Sequence, residues 1–317
     1  MYAAARLYYL EDATQAEVAE RLGTSRATAS RLLSEARRAG IVQIEVVAPV
    51  DQDLDELARS VEQSLGLTRV YLTASPTRGP VGEALAPALA DALEEADLAP
   101  GDVLLVSSGR TVYEAAQAPL PALPGVVLVP TIGGHEEPEP WYATNEITRQ
   151  IANQIGGTPT FLYAPALPAR KLYSSLLADA GFHRVLDLWK TARCAIMGVG
   201  APPLTRASLP RFVPREAASL QQAVGDVCSR FYDADGEPVD FPGSERLVAT
   251  ALDVVREIPS VIGVAAGTVK VPAIRAAAKA GYIDQLVTDT ETAAGLIAGA
   301  ASDDRTVRAR RPHRRGG

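Results

Sequence analysis

The chain has 317 residues, of which 47% are hydrophobic, and a formal net charge of −7. At roughly 150 residues per domain, this length predicts two domains with a sizeable core. No segment approaches the roughly 20 unbroken apolar residues of a membrane-spanning helix, and the N-terminus lacks a secretion-signal pattern, so we expect a cytoplasmic protein. Cys194 and Cys228 lie in apolar segments without metal-site spacing, which predicts reduced core thiols and no metal site.

Charge is unevenly distributed along the chain. Residues 1–48 carry six arginines and six acidic residues, residues 49–304 carry 19 basic and 32 acidic residues, and residues 305–317 carry six arginines without an acid. Because an acidic body repels DNA, binding to DNA would depend on local arginines and on several copies acting together, so we expect a homo-oligomer. The tail, residues 304–317, is predicted to be disordered, as a solubilising extension or as a non-specific phosphate contact.

Residues 14–39 have the pattern of two short helices joined by a glycine turn. Thr14 and Glu17 stand at capping-box spacing, which predicts that the first helix begins at about Gln15. Gly23 then supplies a turn that tolerates a positive φ. This arrangement is typical of a helix-turn-helix, whose second helix enters the major groove of DNA; the alternative is a plain helical hairpin.

The second helix is predicted to begin after a cap at Thr24 or Ser25. Its apolar face comprises Thr28, Ala29, Leu32, Leu33 and Ala36. The opposite face offers short hydroxyls and arginines that can contact base edges or phosphates. The candidate DNA-binding residues are Ser25, Arg26, Ala27, Ser30 and Arg31.

Composition changes near residues 49–53, which places the expected boundary between a DNA-binding domain over 1–50 and a second domain over 51–303. Before it, the alternating residues 41–47 suggest a strand that serves as a wing or as a strut. After it, a helix is predicted whose shared face comprises Leu54, Leu57, Val61 and Leu65.

From residue 70 onward, apolar strand-like runs alternate with helical ones. Strands are predicted at 70–74, 103–107, 126–131, 160–164, 194–199, 261–266 and 285–289, and helices near 80–95, 110–118, 144–155, 170–179, 214–222, 269–280 and 290–300. Runs that are apolar throughout indicate strands covered on both faces, hence an α/β fold with a mostly parallel sheet between helix layers. Ligands bind at the carboxyl ends of such strands.

Two of the predicted strand ends carry candidate ligand-binding loops. Ser107, Gly109 and Thr111 follow the second strand at a helix start, a place that favours an anion, although these residue types also form ordinary turns. Gly133 and Gly134 follow the next strand and would allow a ligand to approach the backbone closely. The adjacent His135 is expected to be a polar rim residue rather than a catalyst.

Two charged residues complete the candidate pocket. Asp226 can accept hydrogen bonds from sugar hydroxyls, whereas Asp233 and Asp235 are explained by turn chemistry beside Gly236. Lys270, one of four lysines against 27 arginines, follows a strand end and either pairs with a phosphate or solvates a helix end.

The chain resembles the SorC family of sugar-binding transcriptional regulators over residues 3–300. The resemblance rests on the DNA-binding segment ARLYYLEDATQAEVAERLGTSRATASRLLSEARRAGIVQIEV and on VSSGRT, NEITRQIA, AVGDVCSRFYDADG, IPSVIGVAAGTVKVPAIRAA and LVTDTETA, which occur in the family's order and spacing. The chain departs from the family at Ser108, where an aromatic residue is common, and at Ala266, where a glycine is common. These departures leave the exact sugar open.

The resemblance implies an N-terminal helix-turn-helix domain, winged-helix-like, followed by a Rossmann-like α/β domain related to sugar-phosphate isomerases. It further implies a phosphorylated sugar as effector, tetrameric assembly and effector-controlled binding to operator DNA, with no cofactor. We classify the chain as a repressor, while activation stays open. Carried over by motif, the effector contacts are Ser107, Gly109, Thr111, Gly133, Gly134, Asp226 and Lys270.

Two other functions compete with this interpretation. A sugar-phosphate isomerase could move a proton with Asp226 and Lys270, but the DNA-binding segment and the lack of a second suitable acid or histidine argue against an enzyme. A ligand-independent DNA-binding scaffold predicts no thermal stabilisation by sugar phosphates.

Overall fold

The computed structural model describes residues 1–11, 13–42, 51–76, 79–207 and 209–298. The chain divides into two compact units, Met1–Asp51 and Gln52–Gly317. Most of the predicted strand at 41–47 and the whole arginine-rich tail lie outside the described residues. Within them, no helix is both long and apolar enough to cross a lipid bilayer.

The first unit contains helices α1 (Tyr2–Tyr9), α2 (Gln15–Arg21) and α3 (Arg26–Arg38). The capping box is present, because the backbone N–H of Thr14 donates to Glu17 Oε2 at 2.7 Å and the N–H of Glu17 donates to Thr14 Oγ1 at 3.4 Å. The predicted start of the first helix at Gln15 is therefore confirmed.

A glycine turn joins α2 to α3 as predicted. Gly23 has a φ of +62°, and Ser25, not Thr24, caps α3 by accepting a hydrogen bond from the N–H of Thr28 at 3.2 Å. Helix α1, which the sequence analysis did not predict, packs with the other two. The buried side chains of this small core are Ala4, Ala13, Val18, Ala19, Ala29 and Leu33.

A seven-stranded sheet organises the second unit. Its strands are β1 (Arg69–Thr73), β2 (Val103–Val106), β3 (Val127–Pro130), β4 (Thr158–Pro159), β5 (Cys194–Gly198), β9 (Ser260–Val264) and β10 (Gln285–Asp289). Their order is β1-β10-β9-β5-β2-β3-β4, and every pairing is parallel. The predicted parallel α/β sheet is confirmed.

Helices cover both faces of this sheet. They are α4 (Asp51–Leu65), α5 (Val81–Glu95), α6 (Arg110–Ala115), α7 (Thr144–Ile155), α8 (Arg170–Leu176), α9 (Ala180–Lys190), α10 (Leu252–Glu257), α11 (Val271–Lys279) and α12 (290–298). On β2, Val103 and Leu105 face one buried core while Leu104 and Val106 face the other. Burial on both sides explains why the strand sequences are apolar at every position.

Two predicted elements are wrong. Residues 160–164 form no strand, because the side chain of Asn145 bonds both the N–H of Leu162 at 3.0 Å and its carbonyl at 3.1 Å, in place of a β-ladder. Residues 214–222 form no α-helix but contain a 3₁₀ helix at Ala218–Gln222. Only Leu220 is buried in that segment, so it lacks the apolar face that would hold an α-helix.

A second, antiparallel sheet of three short strands was not predicted. It comprises β6 (Gly225–Val227), β7 (Arg230–Tyr232) and β8 (Pro238–Val239). The β6–β7 turn places two non-glycine residues in the left-handed region, with φ of +51° at Cys228 and +58° at Ser229. Such backbone strain is often found near functional sites.

Candidate functional site

The parallel sheet changes direction between β2 and β5. From β2 the chain adds β3 and β4 toward one edge, and it then returns to place β5 beside β2 and continues outward with β9. At such a switch point the loops leaving adjacent strands diverge, which opens a crevice at the carboxyl ends. A pocket of about 430 Å³ occupies this place and is lined by residues that follow β2, β3, β5 and β9 and by the β6–β7 turn.

Three cationic side chains line this switch-point pocket: Lys270, Arg110 and Arg206. Lys270 Nζ lies 3.4 Å from Thr111 Oγ1. Burial and the charge of Arg206 together lower the pKa of Lys270 to about 8, against the opposing effects of Asp226 and Glu114. The guanidinium of Arg110 stacks on Trp141, with Cζ 4.2 Å from the ring centroid.

The one carboxylate among the pocket-lining residues belongs to Asp226 and pairs with Arg206. Arg206 Nε donates to the carbonyl of Ala201 at 2.7 Å, while Asp226 Oδ2 accepts from the N–H of Ser229 at 3.0 Å. A Cβ on Gly200 would overlap both members of the ion pair. The lining thus carries more positive than negative charge, which favours an anionic ligand.

His135 lines the pocket from the loop after β3. Its side chain is 1% exposed, and its ring packs against Tyr142 and Phe212 at centroid distances of 5.1 and 5.3 Å. Burial lowers the pKa of His135 to about 4, opposed by Glu137 and Asp226, so the imidazole is neutral near pH 7. The prediction of a polar rim residue is therefore wrong.

The structure brings four of the predicted ligand residues together: Gly109, Thr111, Asp226 and Lys270 all line the pocket. Ser107 does not line it. Its Oγ instead accepts a hydrogen bond from the N–H of Gly198 at 2.8 Å, which ties the loop after β2 to the loop after β5.

The backbone expectations for the loop after β2 need correction. The N–H of Gly109 donates to the carbonyl of Trp141 at 2.9 Å, so it is already engaged. Helix α6 has only six residues and contributes little macrodipole. The charge that attracts an anion is that of Lys270, Arg110 and Arg206.

Gly133 and Gly134 do not line the switch-point pocket. Their N–H groups donate to the carbonyls of Val248 and Ala164 at 2.9 and 2.8 Å. A Cβ on Gly133 would lie 2.6 Å from the carbonyl oxygen of Ala164, so this glycine is required by close chain packing. Gly134 lines a neighbouring hollow together with His135.

Sequence reasoning missed Arg110, Arg206, His135 and the glycines after β5. The segment GVG at 198–200 begins with the last residue of the buried strand β5, and the rule that ligands bind at carboxyl strand ends would have marked it. Arg206 carried no such local signal, because arginine is common throughout the chain, whereas Arg110 lies between Gly109 and Thr111 in the loop after β2 and was not selected there.

The polar face of α3 is accessible. Ser25, Arg26 and Ala27 are exposed and Ser30 is half-buried. The side chain of Arg31 is 72% exposed, and its Nε lies 3.9 Å from Glu35 Oε1, a separation at which an exposed pair contributes little. The arginines of this face are therefore free to meet phosphates or base edges.

The cysteines behave as predicted. Cys194 and Cys228 are unpaired and buried, and burial raises the pKa of each thiol to about 12, which keeps both protonated. In the described part of the chain, no cluster of histidine, cysteine and acidic residues suits a metal ion.

The helix-turn-helix and the domain that holds the switch-point pocket each match a known family model. Residues 51–298 match the family model of a sugar-binding domain, and residues 6–39 match the model of sigma-70 region 4. The chain is 33% identical over 301 residues to the deoxyribonucleoside regulator of Bacillus subtilis (strain 168), covering 93% of this chain and 96% of that protein.

A second relative is known in structure. The chain is 32% identical over 305 residues to the sorbitol operon regulator of Klebsiella pneumoniae, covering 92% of this chain and 96% of that protein. The crystal structure of that full-length regulator, SorC, matches with a TM-score of 0.69 and 30% identity over 93% of this chain and 97% of the other. These relatives are regulators rather than enzymes, which sets the isomerase alternative aside. With a sugar-binding domain behind a helix-turn-helix, the chain belongs to the SorC family of sugar-binding transcriptional regulators.

Proposed function

We propose that this regulator binds operator DNA through α3 and that a phosphorylated sugar in the switch-point pocket changes that binding. The observation that carries the proposal is the lining of the pocket, which combines the cations Lys270, Arg110 and Arg206 with the single carboxylate of Asp226. Cations in a partly dry pocket bind phosphate strongly, and hydroxyl-bearing sugars satisfy the remaining polar groups. The names of the two relatives, a deoxyribonucleoside and a sorbitol operon regulator, agree with a sugar-like effector.

The proposed ligand contacts are those that line the pocket: Gly109, Thr111, Asp226 and Lys270, with Arg206 and Arg110 added. Ser107, Gly133 and Gly134 support these contacts by fixing the loops from behind. The proposed DNA contacts are Ser25, Arg26, Ala27, Ser30 and Arg31.

Ligand binding in the pocket can affect operator binding through the assembly of several copies of the chain. The acidic body requires at least two recognition helices on one operator, so we propose a dimer or tetramer that acts in the cytoplasm as a repressor. A ligand shifts DNA affinity only by binding one arrangement of the assembly better than another. The sugar phosphate therefore changes the separation of paired α3 helices.

The test combines ligand binding with DNA binding. Pentose and hexose phosphates, and the same sugars without phosphate, are screened by thermal shift, and each is then added to a mobility-shift assay on the DNA upstream of the protein's own gene. A phosphorylated sugar should raise the melting temperature and change the amount of bound DNA. Its unphosphorylated counterpart should do neither.

Paired variants separate the two sites. Lys270→Ala should abolish the thermal shift and the response of bound DNA to the sugar, whereas Arg26→Ala should weaken DNA binding but keep the thermal shift. Lys279→Ala is the matched control for the lysine, because Lys279 lies on α11 and its exposed Nζ pairs with Asp235 at 2.7 Å. Equal stabilisation by sugars with and without phosphate would contradict the proposal, and so would chemical conversion of the sugar.

A further inference from the structure

His135 and Glu137 form a buried polar pair beside the switch-point pocket, which His135 lines and Glu137 does not. The side chains of His135 and Glu137 are 1% and 8% exposed. Among the described residues, both ring nitrogens of His135 and the Oε2 of Glu137 find no hydrogen-bond partner. Buried polar groups in proteins are nearly always hydrogen-bonded, so such a pair beside a ligand pocket indicates a partner that arrives with the ligand.

The surroundings fix the protonation of His135. Glu137 Oε1 accepts from the N–H of Arg211 at 2.5 Å, and its Oε2 faces His135 Nδ1 at 3.7 Å. A nearby carboxylate favours the tautomer that carries its proton on Nδ1. Because burial holds the pKa of His135 at about 4, the ring is neutral and Nε2 keeps a free lone pair.

We propose that His135 determines which sugar the pocket accepts, by receiving a hydrogen bond at Nε2 from one hydroxyl of the phosphorylated sugar. Glu137 is a positioning residue that holds the required tautomer. This inference rests on the proposed function and deepens it.

The order of the strands places this hydroxyl away from the phosphate. Lys270 follows β9, yet its Nζ reaches Thr111 on the loop after β2. His135 lies on the loop after β3, the next strand beyond β2, and so lines a different part of the pocket from Lys270. A phosphate held at Lys270 therefore directs the opposite end of a small sugar toward His135.

The aromatic neighbours complete the specificity. Tyr142 and Phe212 pack against the His135 ring at 5.1 and 5.3 Å between centroids, and Tyr142 itself lines the pocket. Apolar ring faces suit the C–H surface of a sugar and cannot replace a lost hydroxyl contact. The favoured ligand is thus a phosphorylated sugar or polyol with a hydroxyl at the end remote from phosphate.

The experiment removes ligand hydroxyls one at a time, substitutes His135, and compares the losses of affinity singly and in combination. Ribose 5-phosphate, glucose 6-phosphate and sorbitol 6-phosphate are titrated calorimetrically into the full chain. For the probe that binds, analogues with each hydroxyl in turn replaced by hydrogen or fluorine are titrated as well. One position should lose ~10–100-fold in affinity when its hydroxyl is removed, because a site built to hydrogen-bond a hydroxyl rejects the analogue that lacks it.

Fluorine at that position should lose as much affinity as hydrogen, because fluorine cannot donate to Nε2. His135→Phe should bind the parent as weakly as wild type binds the deoxy analogue and should no longer distinguish the two. Glu137→Gln should show a smaller loss confined to the same hydroxyl. The matched control is His183→Phe, since His183 is exposed on α9 and bonds only the carbonyl of Leu177 in the described structure, so its hydroxyl profile should equal that of wild type.

Several outcomes would overturn the inference. They are a wild-type series in which no single hydroxyl matters, a His135→Phe variant that keeps the wild-type preference, and a fluoro analogue that binds as well as its parent. The first and third need only wild-type protein, so a variant that fails to fold leaves them available. If no sugar phosphate binds wild type at all, the proposed function itself fails, which is a different result.

Discussion

The surface of α3 and the switch-point pocket differ in how their parts are brought together. The α3 surface spans residues 25–31 and is fixed by a contact between neighbours, the cap from Ser25 to Thr28. The pocket depends on contacts between distant loops, such as Ser107 with Gly198 and Lys270 with Thr111. A substitution in the α3 surface should therefore act locally, whereas a substitution in the pocket should disturb several loops at once.

Their electrostatics differ as well. The arginine side chain of Arg31 is 72% exposed, so its interactions are screened by salt. The side chains of Arg206 and Asp226 are 20% and 11% exposed, and the pKa of Lys270 is shifted by burial. Salt should therefore control the first region and pH the second.

The largest effect is expected at Gly200, which packs against both Arg206 and Asp226. In Gly200→Ala the new methyl group overlaps Arg206 and Asp226 and separates the ion pair. We expect a loss of about 2–4 kcal/mol in the free energy of unfolding, because the buried carboxylate of Asp226 loses its partner. Sugar-phosphate binding should also be lost, as measured by denaturant unfolding and calorimetry.

Gly198→Ala is the matched control, because Gly198 ends β5 only two residues before Gly200. Its Cβ would meet nothing closer than 3.5 Å, which is ordinary van der Waals contact. Wild-type stability in both variants would show that the loop moves freely and that the pocket is less interdependent than its contacts suggest.

The next effect tests whether the α3 surface acts locally. Arg26→Ala should weaken operator binding by about 1–3 kcal/mol if the arginine contacts a base, with relaxed specificity at that position. If it contacts a phosphate, the slope of affinity against salt should fall by about 1. Gel-shift titrations at several salt concentrations distinguish these cases.

Arg184→Ala, an exposed arginine on α9 in the other unit, is the control for Arg26→Ala. It should leave both the affinity and the salt slope as in wild type. An equal loss in both variants would mean that overall charge, rather than the α3 surface, governs DNA binding.

The same contrast explains what the sequence could predict. The cap at Thr14, the turn at Gly23 and the start of α2 follow from residues three or four positions apart, so local chemistry determines them. The apolar strands, and the fact that they form a parallel sheet, also follow from the local sequence pattern. Residues 214–222 were mispredicted because Leu220 alone reaches the core, which depends on tertiary packing.

In the pocket, the strand-end rule named some residues of the lining, whereas Ser107, Gly133 and Gly134, named by the same rule, do not line it. Gly109, Thr111 and Lys270 follow strands directly, and the carboxyl-end rule located them. Arg206 lies in an irregular segment, and its importance arises from Asp226, which the fold brings near it. His135 was misjudged because its burial comes from Tyr142 and Phe212, which no local pattern connects to it.

Raising the pH should weaken the binding of a sugar phosphate in the pocket by about tenfold. The pKa of Lys270 is lowered to about 8, so the lysine loses its charge as pH rises through 8, while a phosphate monoester stays fully charged above its second pKa of about 6. Affinity for a sugar phosphate should therefore fall ~10-fold from pH 7 to pH 9. Calorimetric titration across this range measures it.

In the unliganded protein, raising the pH should have the opposite effect on stability, which Lys270 makes larger. Because the folded pKa of Lys270 lies below its unfolded value of 10.5, the folded state binds fewer protons between pH 8 and 10.5. This group's contribution to the free energy of unfolding then rises with pH in that window. In Lys270→Arg, which stays charged, the fall in sugar-phosphate affinity should disappear; a fall that persists would assign the titration to another group.

The smallest effect separates folding from DNA contact within the α3 surface. Ser25→Ala removes the cap on Thr28 and should lower the free energy of unfolding of the first unit by about 1 kcal/mol, because an N–H at the start of α3 loses its acceptor. Ser25→Asp restores the cap yet places a negative charge where we propose that DNA phosphates lie. Stability should recover in Ser25→Asp while operator affinity falls below that of Ser25→Ala, as measured by thermal unfolding and gel shift. If affinity instead follows stability in both variants, Ser25 serves only to hold α3 in place, and the DNA contacts begin at Arg26.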